Sequence, residues 1–484
     1  MRSRASSDVV WLGVAEFASR VSTFGIFVLA ARLLNTQELA SYLVLFSLSG
    51  LIWVCAQLGT GIYGVKELCQ CNCENEKSAR IISSMLLIRV SLTVTAFIII
   101  LFLRNVFFPS ESFENLIVAF ILVLLRAVTL DWVLRAYNKS RLLSFYTIFS
   151  SFTGLGIAYI VLTNIPTSVM ALWAHVLPLL LLCMATWLIM IFVVGVVPVF
   201  GKSTITSSIF ALRKCAVIGF SGIAVMSSQT VPLFSLNYFA LPSDVALFGS
   251  MQRILQIALG GLLVLSMAHF PALSRSVGVA QLEKESFIHY LSDLVLMALG
   301  IYILMLTEFG QLALSILGDQ FTNNGIYVVL VFSILPLYFV RTAFTDTLIA
   351  HGKAKYVMVA CLIGLLVSLI LAFVWLPSVA SNTRVESAIL VLGIVEASIF
   401  GVSVWAAKIH LGTMFFREIY LRFLSVIVLF ACGAWIVLNV LNQKLDHWLI
   451  IVVELLFVTI AMAYWLKGST MWFMIGDIKR KIGW

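Results

Sequence analysis

Six arginines stand in stretches of sequence that carry almost no other charge: Arg20, Arg89, Arg126, Arg253, Arg341 and Arg422. No lysine sits comparably deep in such a run. The choice of residue is informative. Arginine keeps its charge on burial and presents a planar fork of donors that fits phosphate oxygens, whereas lysine loses its proton more readily. A staggered series of guanidinium groups therefore suits a phosphate group on the move. Arg422 lies one turn from the end of its run and is expected to snorkel to the surface. Arg20, Arg89, Arg126, Arg253 and Arg341 remain as the candidate anion-binding set. Carboxylates are interspersed. Glu16 lies four residues before Arg20, Asp131 four before Arg135, and Asp293, Asp346, Glu396 and Glu454 stand elsewhere. Each acid can neutralise an arginine on a shared helix face. Each can also take a proton or help bind sodium, coupling a ligand's movement to an ion gradient. Glu16, Asp131 and Asp346 are the candidates for that second role.

The elements that position these groups follow from composition. Of 484 residues, 62% are hydrophobic and 11% charged, too few polar groups to cover the surface of a soluble domain. Apolar runs of about 20 residues recur along the chain, each long enough to cross the hydrocarbon as a helix. They do not alternate in the manner of a membrane barrel. About fourteen spans are expected, at roughly 9–32, 38–62, 81–103, 114–134, 142–163, 168–196, 211–235, 243–270, 287–309, 323–349, 356–377, 387–407, 417–440 and 446–466. The expected fold class is an all-α polytopic membrane protein. Pro178, Pro232 and Pro336 fall inside spans, where proline kinks a helix.

The net charge of +9 sorts by side. With the amino terminus in the cytoplasm, about 21 Lys and Arg fall on inner segments and about 4 (Arg32, Arg104, Arg384 and Lys444) on outer ones, as the positive-inside rule requires. Both termini are then cytoplasmic, and the basic charge implies inner loops rather than nucleic acid. A repeat is also legible. Arg126-Ala-Val-Thr-Leu-Asp131 in the fourth span matches Arg341-Thr-Ala-Phe-Thr-Asp346 in the tenth. The turn Leu34–Tyr42 before the second span resembles Ala240–Phe248 before the eighth. Both pairs are six spans apart, so the copies start on the same side and are related by an axis along the membrane normal. This divides the chain into six-helix bundles at 1–200 and 201–410, with two further helices and a basic tail at 411–484.

Several motifs lead nowhere. Gly195–Ser203 is one residue too long between its glycines for a phosphate-binding loop and has no nucleotide domain around it. Cys69, Cys71 and Cys73 are too closely spaced for the usual tetrahedral zinc frameworks and read as a reduced cytoplasmic loop. The histidines at 175, 269, 289, 351, 410 and 447 show no ligand spacing. No metal or cofactor is expected apart from H+ or Na+ as a coupling ion, and no enzymatic motif is present.

The segments Ala30–Asn35 with Gln37–Tyr42, Tyr63–Leu68, Thr129–Arg135 and Ser243–Phe248 resemble the polysaccharide biosynthesis (Wzx-type O-antigen flippase) family. That family sits within the superfamily of multidrug/toxin and oligosaccharidyl-lipid/polysaccharide exporters. The family usually has glycine where this chain has Ala40 and Ala246. The resemblance implies a flippase of the bacterial inner membrane. Such a protein carries an undecaprenyl-pyrophosphate-linked oligosaccharide from the cytoplasmic to the periplasmic leaflet through a cationic cavity, and supplies a polysaccharide polymerase machinery. A lipid II flippase of the MurJ type and a multidrug exporter are the alternatives. An acidic cavity would suit the exporter, and the arginines argue against it. Short loops lead us to expect a monomer.

Overall fold

The computed structural model describes residues 2–411 apart from 72, 73, 109, 110, 278, 279, 307, 319, 320, 322 and 323. The runs expected at 417–440 and 446–466, together with Cys73, Arg422, Glu454 and the basic tail, lie outside the described residues. Among the described residues there is no strand. The α-helices in chain order are α1 Arg2–Leu33, α2 Thr36–Gln57, α3 Thr60–Gln70, α4 Asn75–Phe107, α5 Phe113–Val128, α6 Asp131–Ala136, α7 Ser140–Asn164 and α8 Ser168–Ile189. They continue with α9 Lys202–Phe239, α10 Pro242–Ser276, α11 Ala280–Leu306, α12 Glu308–Leu317, α13 Gly325–Ser333, α14 Leu335–Ala350, α15 Ala354–Ile370 and α16 Arg384–Leu411. Every run expected between 9 and 407 falls on helix. The short α12 was not expected. Ten stretches among the described residues are long and apolar enough to cross a membrane, eleven when α9 is counted across its bend. The fold is an all-α, multi-pass membrane fold.

The outer surfaces of these helices are apolar. Phe102, Phe192 and Val374 are 84%, 80% and 72% exposed, which is stable against lipid tails but not against water. Turns between spans are closed by side-chain caps. The Asn35 side chain accepts from the Glu38 amide at 2.9 Å, starting α2. A Glu38 carboxylate oxygen accepts from the Ser168 amide at 2.7 Å, at the start of α8. The motif-rich turn before the second span thus satisfies the exposed donors of two helices.

The chain packs as two units. One comprises the described residues up to Ser250 together with Ser368–Ala388; the other comprises the described residues of Met251–Val367 and 389–411. In the first unit several spans are broken. The second span breaks between α2 and α3 at Leu58 and Gly59, both left-handed with φ 34 and 75. The fourth breaks between α5 and α6 at Thr129 and Leu130. The sixth ends in a π-helical turn, Met190–Val194, closed by Gly195 at φ 74. The seventh, α9, bends by 60° between Thr204–Ala216 and Gly219–Phe239. The arms beyond these joints share one apolar core with Leu68, Ile82, Trp132, Val133, Met190 and Ala211.

The bend in α9 corrects the expectation for Pro232, which lies well within the continuous arm beyond it. The second arm of the bend begins at Gly219. A Cβ there would lie 2.7 Å from the carbonyl carbon of Leu58, so only glycine lets α9 touch the backbone of the second span's break. Pro336 falls in the first turn of α14, just after the break at Ile334, where a missing amide hydrogen leaves no bond unmade. Pro178 leaves α8 a single helix.

Candidate functional site

In the first unit α1 packs along α7, α7 against α8, and α5 against α8. Where the fourth span breaks, these helices leave a cavity of about 230 Å³. Its polar lining comes from Glu16 on α1, Arg126 and Thr129 at the end of α5, Asp131 and Arg135 on α6, and Ser144 and Thr147 on α7; Trp53 of α2 borders it.

The break is locally determined. Thr129 turns its own hydroxyl back to the Leu125 carbonyl at 2.7 Å and leaves the helical region, with ψ 134. The backbone groups freed by the break are taken up by α8. Trp187 donates its indole N–H to the Val128 carbonyl at 3.0 Å, and the Leu130 amide donates to the Thr186 hydroxyl at 3.4 Å. Inside a membrane such groups need partners from protein. The chain then resumes as α6 with Asp131 in its first turn, where a carboxylate complements the helix dipole.

Among the described residues the Arg126 guanidinium makes no hydrogen bond, ion pair or ring contact, and it faces the cavity. The other candidate arginines are all engaged. Arg20 meets Glu16 at 2.9 Å, one turn along α1. Arg89 is 1% exposed. Its Nε donates to the Thr60 hydroxyl at 2.8 Å, and its guanidinium lies 5.6 and 5.4 Å from the ring centres of Trp53 and Trp132. Thr60 in turn donates to the Gln57 carbonyl at 2.6 Å. Arg89 thus holds the joint between α2 and α3. In the second unit Arg253 donates to Gln256 at 2.8 Å, and Arg341 lies 2.9 Å from Glu396, which is 0% exposed.

The candidate coupling acids divide in the same way. Glu16 and Asp131 border the cavity, and Asp131 meets Arg135 at 2.7 Å. Asp346, in the second unit, accepts from the Ser266 and Tyr290 hydroxyls, each at 2.6 Å. Beside it His269 stacks on Tyr290 with centroids 5.0 Å apart and lies 2.9 Å from Asp293. His351 pairs with Glu283. The histidines that look scattered in sequence therefore include two acid partners, although among the described residues no three ligating side chains gather into a metal site.

Sequence reasoning missed Trp53, Ser144 and Thr147. A signal for the α7 pair was present. Ser140, Ser144, Thr147 and Ser151 recur at helical spacing, marking a polar stripe on one face of a span.

The family profile described as Polysaccharide biosynthesis protein matches residues 6–277. No curated protein matches the chain. Among solved structures, the lipid II flippase MurJ in an inward closed conformation is similar at 13% identity with a TM-score of 0.67, covering 94% of this chain and 99% of that one. An inward-facing multidrug resistance MATE family transporter of the MOP superfamily is similar at 14% identity and TM-score 0.60, over 84% of this chain and 98% of its own. A MOP superfamily transporter from Pyrococcus furiosus, described as having a binding pocket of reverse polarity, is similar at 14% identity and TM-score 0.59, over 84% and 95%. At these identities the likeness is one of fold.

Proposed function

The chain belongs to the polysaccharide biosynthesis protein family, and we propose that it is a flippase for an undecaprenyl-pyrophosphate-linked oligosaccharide, an O-antigen unit, moving it from the cytoplasmic to the periplasmic leaflet. The observation that carries this reading is Arg126. It is a guanidinium with no partner among the described residues, bordering a cavity inside a membrane fold, at a break in its own span. An unpaired charge at such depth costs several kcal/mol, and a ligand phosphate relieves that cost by accepting its fork of donors. The lipid tail stays in the bilayer while the hydrophilic head is carried across by alternating access.

The orientation expected from the loop charges puts the cavity toward the cytoplasmic end, where the lipid-linked unit is loaded. Glu16 and Asp131 are each neutralised by an arginine one turn away. Asp346, held by two hydroxyls, is the carboxylate we assign to H+ or Na+ coupling. The product leaflet is where a polysaccharide polymerase would take over.

A second reading, a lipid II flippase, draws on the likeness to the MurJ fold. A multidrug exporter fits less well, because Arg126, without a partner among the described residues, repels cations. Gene deletion separates the readings. Loss of an O-antigen flippase removes surface glycan and leaves lipid-linked units on the inner leaflet of viable cells. Loss of a lipid II flippase stops wall synthesis. Complementation by the wild-type gene but not by Arg126→Ala, at equal membrane levels, is expected. Unchanged glycan and growth after deletion would falsify both flippase readings.

A further inference from the structure

Helix α14 ends at His351, and its sequence builds that end. Gly352 is left-handed with φ 70, and the Lys353 amide donates back to the Leu348 carbonyl at 2.8 Å. A glycine in this conformation stops a helix and satisfies its last carbonyls. The first unit builds the same end on α6, with Asn138 at φ 54 and the Lys139 amide on the Leu134 carbonyl at 2.9 Å. Where the first unit has Tyr137, the second has His351. One of two matching helix ends therefore carries a group of the kind that titrates near neutral pH.

The surroundings of the His351 ring fix what it must carry. Nδ1 lies 2.8 Å from the Thr347 carbonyl oxygen, one turn back, and Nε2 pairs with Oε1 of Glu283 in the first turn of α11. A carbonyl and a carboxylate only accept, and a neutral imidazole has one N–H to give. Both bonds are made only if the pair holds an extra proton. Apart in water at pH 7, a glutamate is ionised and a histidine largely neutral. The helix dipoles put the extra proton on the ring. His351 closes the C-terminal end of α14, which favours a cation, and Glu283 opens α11, which favours an anion. The two side chains are only 15% and 13% exposed, so protein rather than bulk water partners them.

The pair lies at one end of the seam between α11 and α14. Further along, the Phe287 and Phe344 rings pack 5.3 Å apart, and Tyr290 donates to Asp346. Other charged groups gather at the same end. Lys284 and Glu285 flank Glu283, with His289 beyond them on α11, and Lys353 and Lys355 follow α14. Arg275 stands in the last turn of α10, and Lys408 and His410 in the last turn of α16. Helix α13, also packed on α14, carries no charged residue. Most of these groups are basic and oppose a cation at His351, so its proton depends on Glu283.

We propose that His351 and Glu283 form a proton-binding latch at the inner end of the second unit: with the proton bound they hold α14 to α11, and its loss lets the two helices part there. The closed pair holds one proton more than the parted residues, so lower pH favours closure and higher pH favours parting. The proposal rests on the flippase reading for its place in the transport cycle, where it makes closure of this end depend on cytoplasmic protons.

The test uses full-length protein in lipid nanodiscs, labelled with 15N-histidine for magnetic resonance. The ring signal lost in His351→Gln identifies His351, and in wild type it is expected to carry hydrogen on both nitrogens at pH 7. In Glu283→Gln the proton is held about tenfold or more weakly, a shift of about one pH unit in the titration. A neutral ring at pH 7, or a titration unmoved by Glu283→Gln, overturns the site. Hydrogen exchange of the peptides spanning Glu283 and His351, corrected for the intrinsic effect of pH, reads the latch. Wild type is expected to exchange about tenfold faster at about pH 9 than at about pH 6. His351→Arg, which stays charged at both, loses that difference. His410→Gln keeps it, since that ring packs on Tyr356 at the same end. Equal protection of wild type at the two pH values, or a difference that survives His351→Arg, overturns the latch. Neither measurement needs a transported substrate, so failure of the latch is distinguishable from failure of the flippase reading, which glycan and growth in the deletion strain decide.

Discussion

In the fourth span Arg126 and Asp131 are separated by a break at Thr129 and Leu130; in the tenth, Arg341 and Asp346 ride on one continuous helix, α14. The sequence interval is the same and the electrostatic outcome is opposite. Arg341 is buried against Glu396 and stacked 5.6 Å from the Tyr338 ring, while Asp346 holds two hydroxyl donors. Arg126 has no partner among the described residues, and Asp131 meets an arginine that is half exposed. Breaking the helix places the two groups on separate elements and opens space between them. Keeping it intact lets neighbouring spans close over both. One copy of the motif is finished by the protein itself; in the other, Arg126 meets no partner among the described residues, which is what the proposed flippase reading expects of a ligand-binding group.

This contrast has measurable consequences, the largest at the closed copy. Glu396→Ala strands a buried guanidinium, and removing one partner of a buried ion pair typically costs about 3–5 kcal/mol. The expected result is a large drop in the melting midpoint of the purified protein or loss of folded protein from the membrane. A midpoint within a degree of wild type would show that Arg341 has another means of support and would erase the contrast.

The open copy should behave in reverse. Arg126→Ala removes a charge that no group among the described residues satisfies, so stability is expected to hold or rise slightly while transport fails. A charge-assisted bond to phosphate is worth about 1.5–3 kcal/mol, which corresponds to roughly tenfold to a hundredfold in affinity for the transported head group. Radiolabelled lipid-linked sugar in proteoliposomes gives that number. Arg126→Ala protein that melts early but transports normally would invert the assignment.

How much of this could be read from residues alone depends on the element. The spans themselves were legible, because about 20 consecutive apolar residues have few ways to exist other than as a membrane helix. The Glu16–Arg20 and Asp131–Arg135 pairs were legible for the same local reason, being spaced four apart. The joints were not. Leu58 has no turn signature, and its left-handed backbone is fixed from outside by Arg89, Thr60 and the contact with Gly219. Nor could sequence say which arginines were spoken for. Arg341 and Glu396 are far apart in the chain, and Arg89 gave no sign of the two tryptophans beside it. The repeat implied that Arg126 and Arg341 would share a fate. Tertiary packing gave them different ones.

A smaller effect separates the two aspartates. Tyr290→Phe removes one of the two donors to Asp346 inside the second unit, and a bond to a charged acceptor is worth about 1.5–3 kcal/mol. Arg135→Gln removes the partner of Asp131, but the pair is partly exposed and such pairs contribute about 0–1 kcal/mol. Comparing the two variants by thermal unfolding should give a clear shift for the first and little for the second. Equal shifts would mean that Asp131 is as enclosed as Asp346 and that the cavity around it is closed in the folded protein.

The finest distinction lies in two threonines. Thr186 on α8 accepts from the Leu130 amide, across the break in the fourth span. Thr347 on α14 turns its hydroxyl to Ala343, four residues back in its own helix, at 2.7 Å. Threonine to valine keeps the shape at both positions and removes only the hydroxyl. At Thr347 the carbonyl keeps its place in the continuous helix, so the expected cost is a few tenths of a kcal/mol. At Thr186 the Leu130 amide is left without that acceptor, and a typical bond of this kind contributes about 0.5–1.5 kcal/mol. Thr186→Val should therefore cost more than Thr347→Val, and the extra cost should appear with faster hydrogen exchange at the Leu130 amide. Equal costs with unchanged exchange would mean that the break holds without α8. The difference between the two spans would then originate in α5 and α6 alone, through Thr129 and its bond to Leu125.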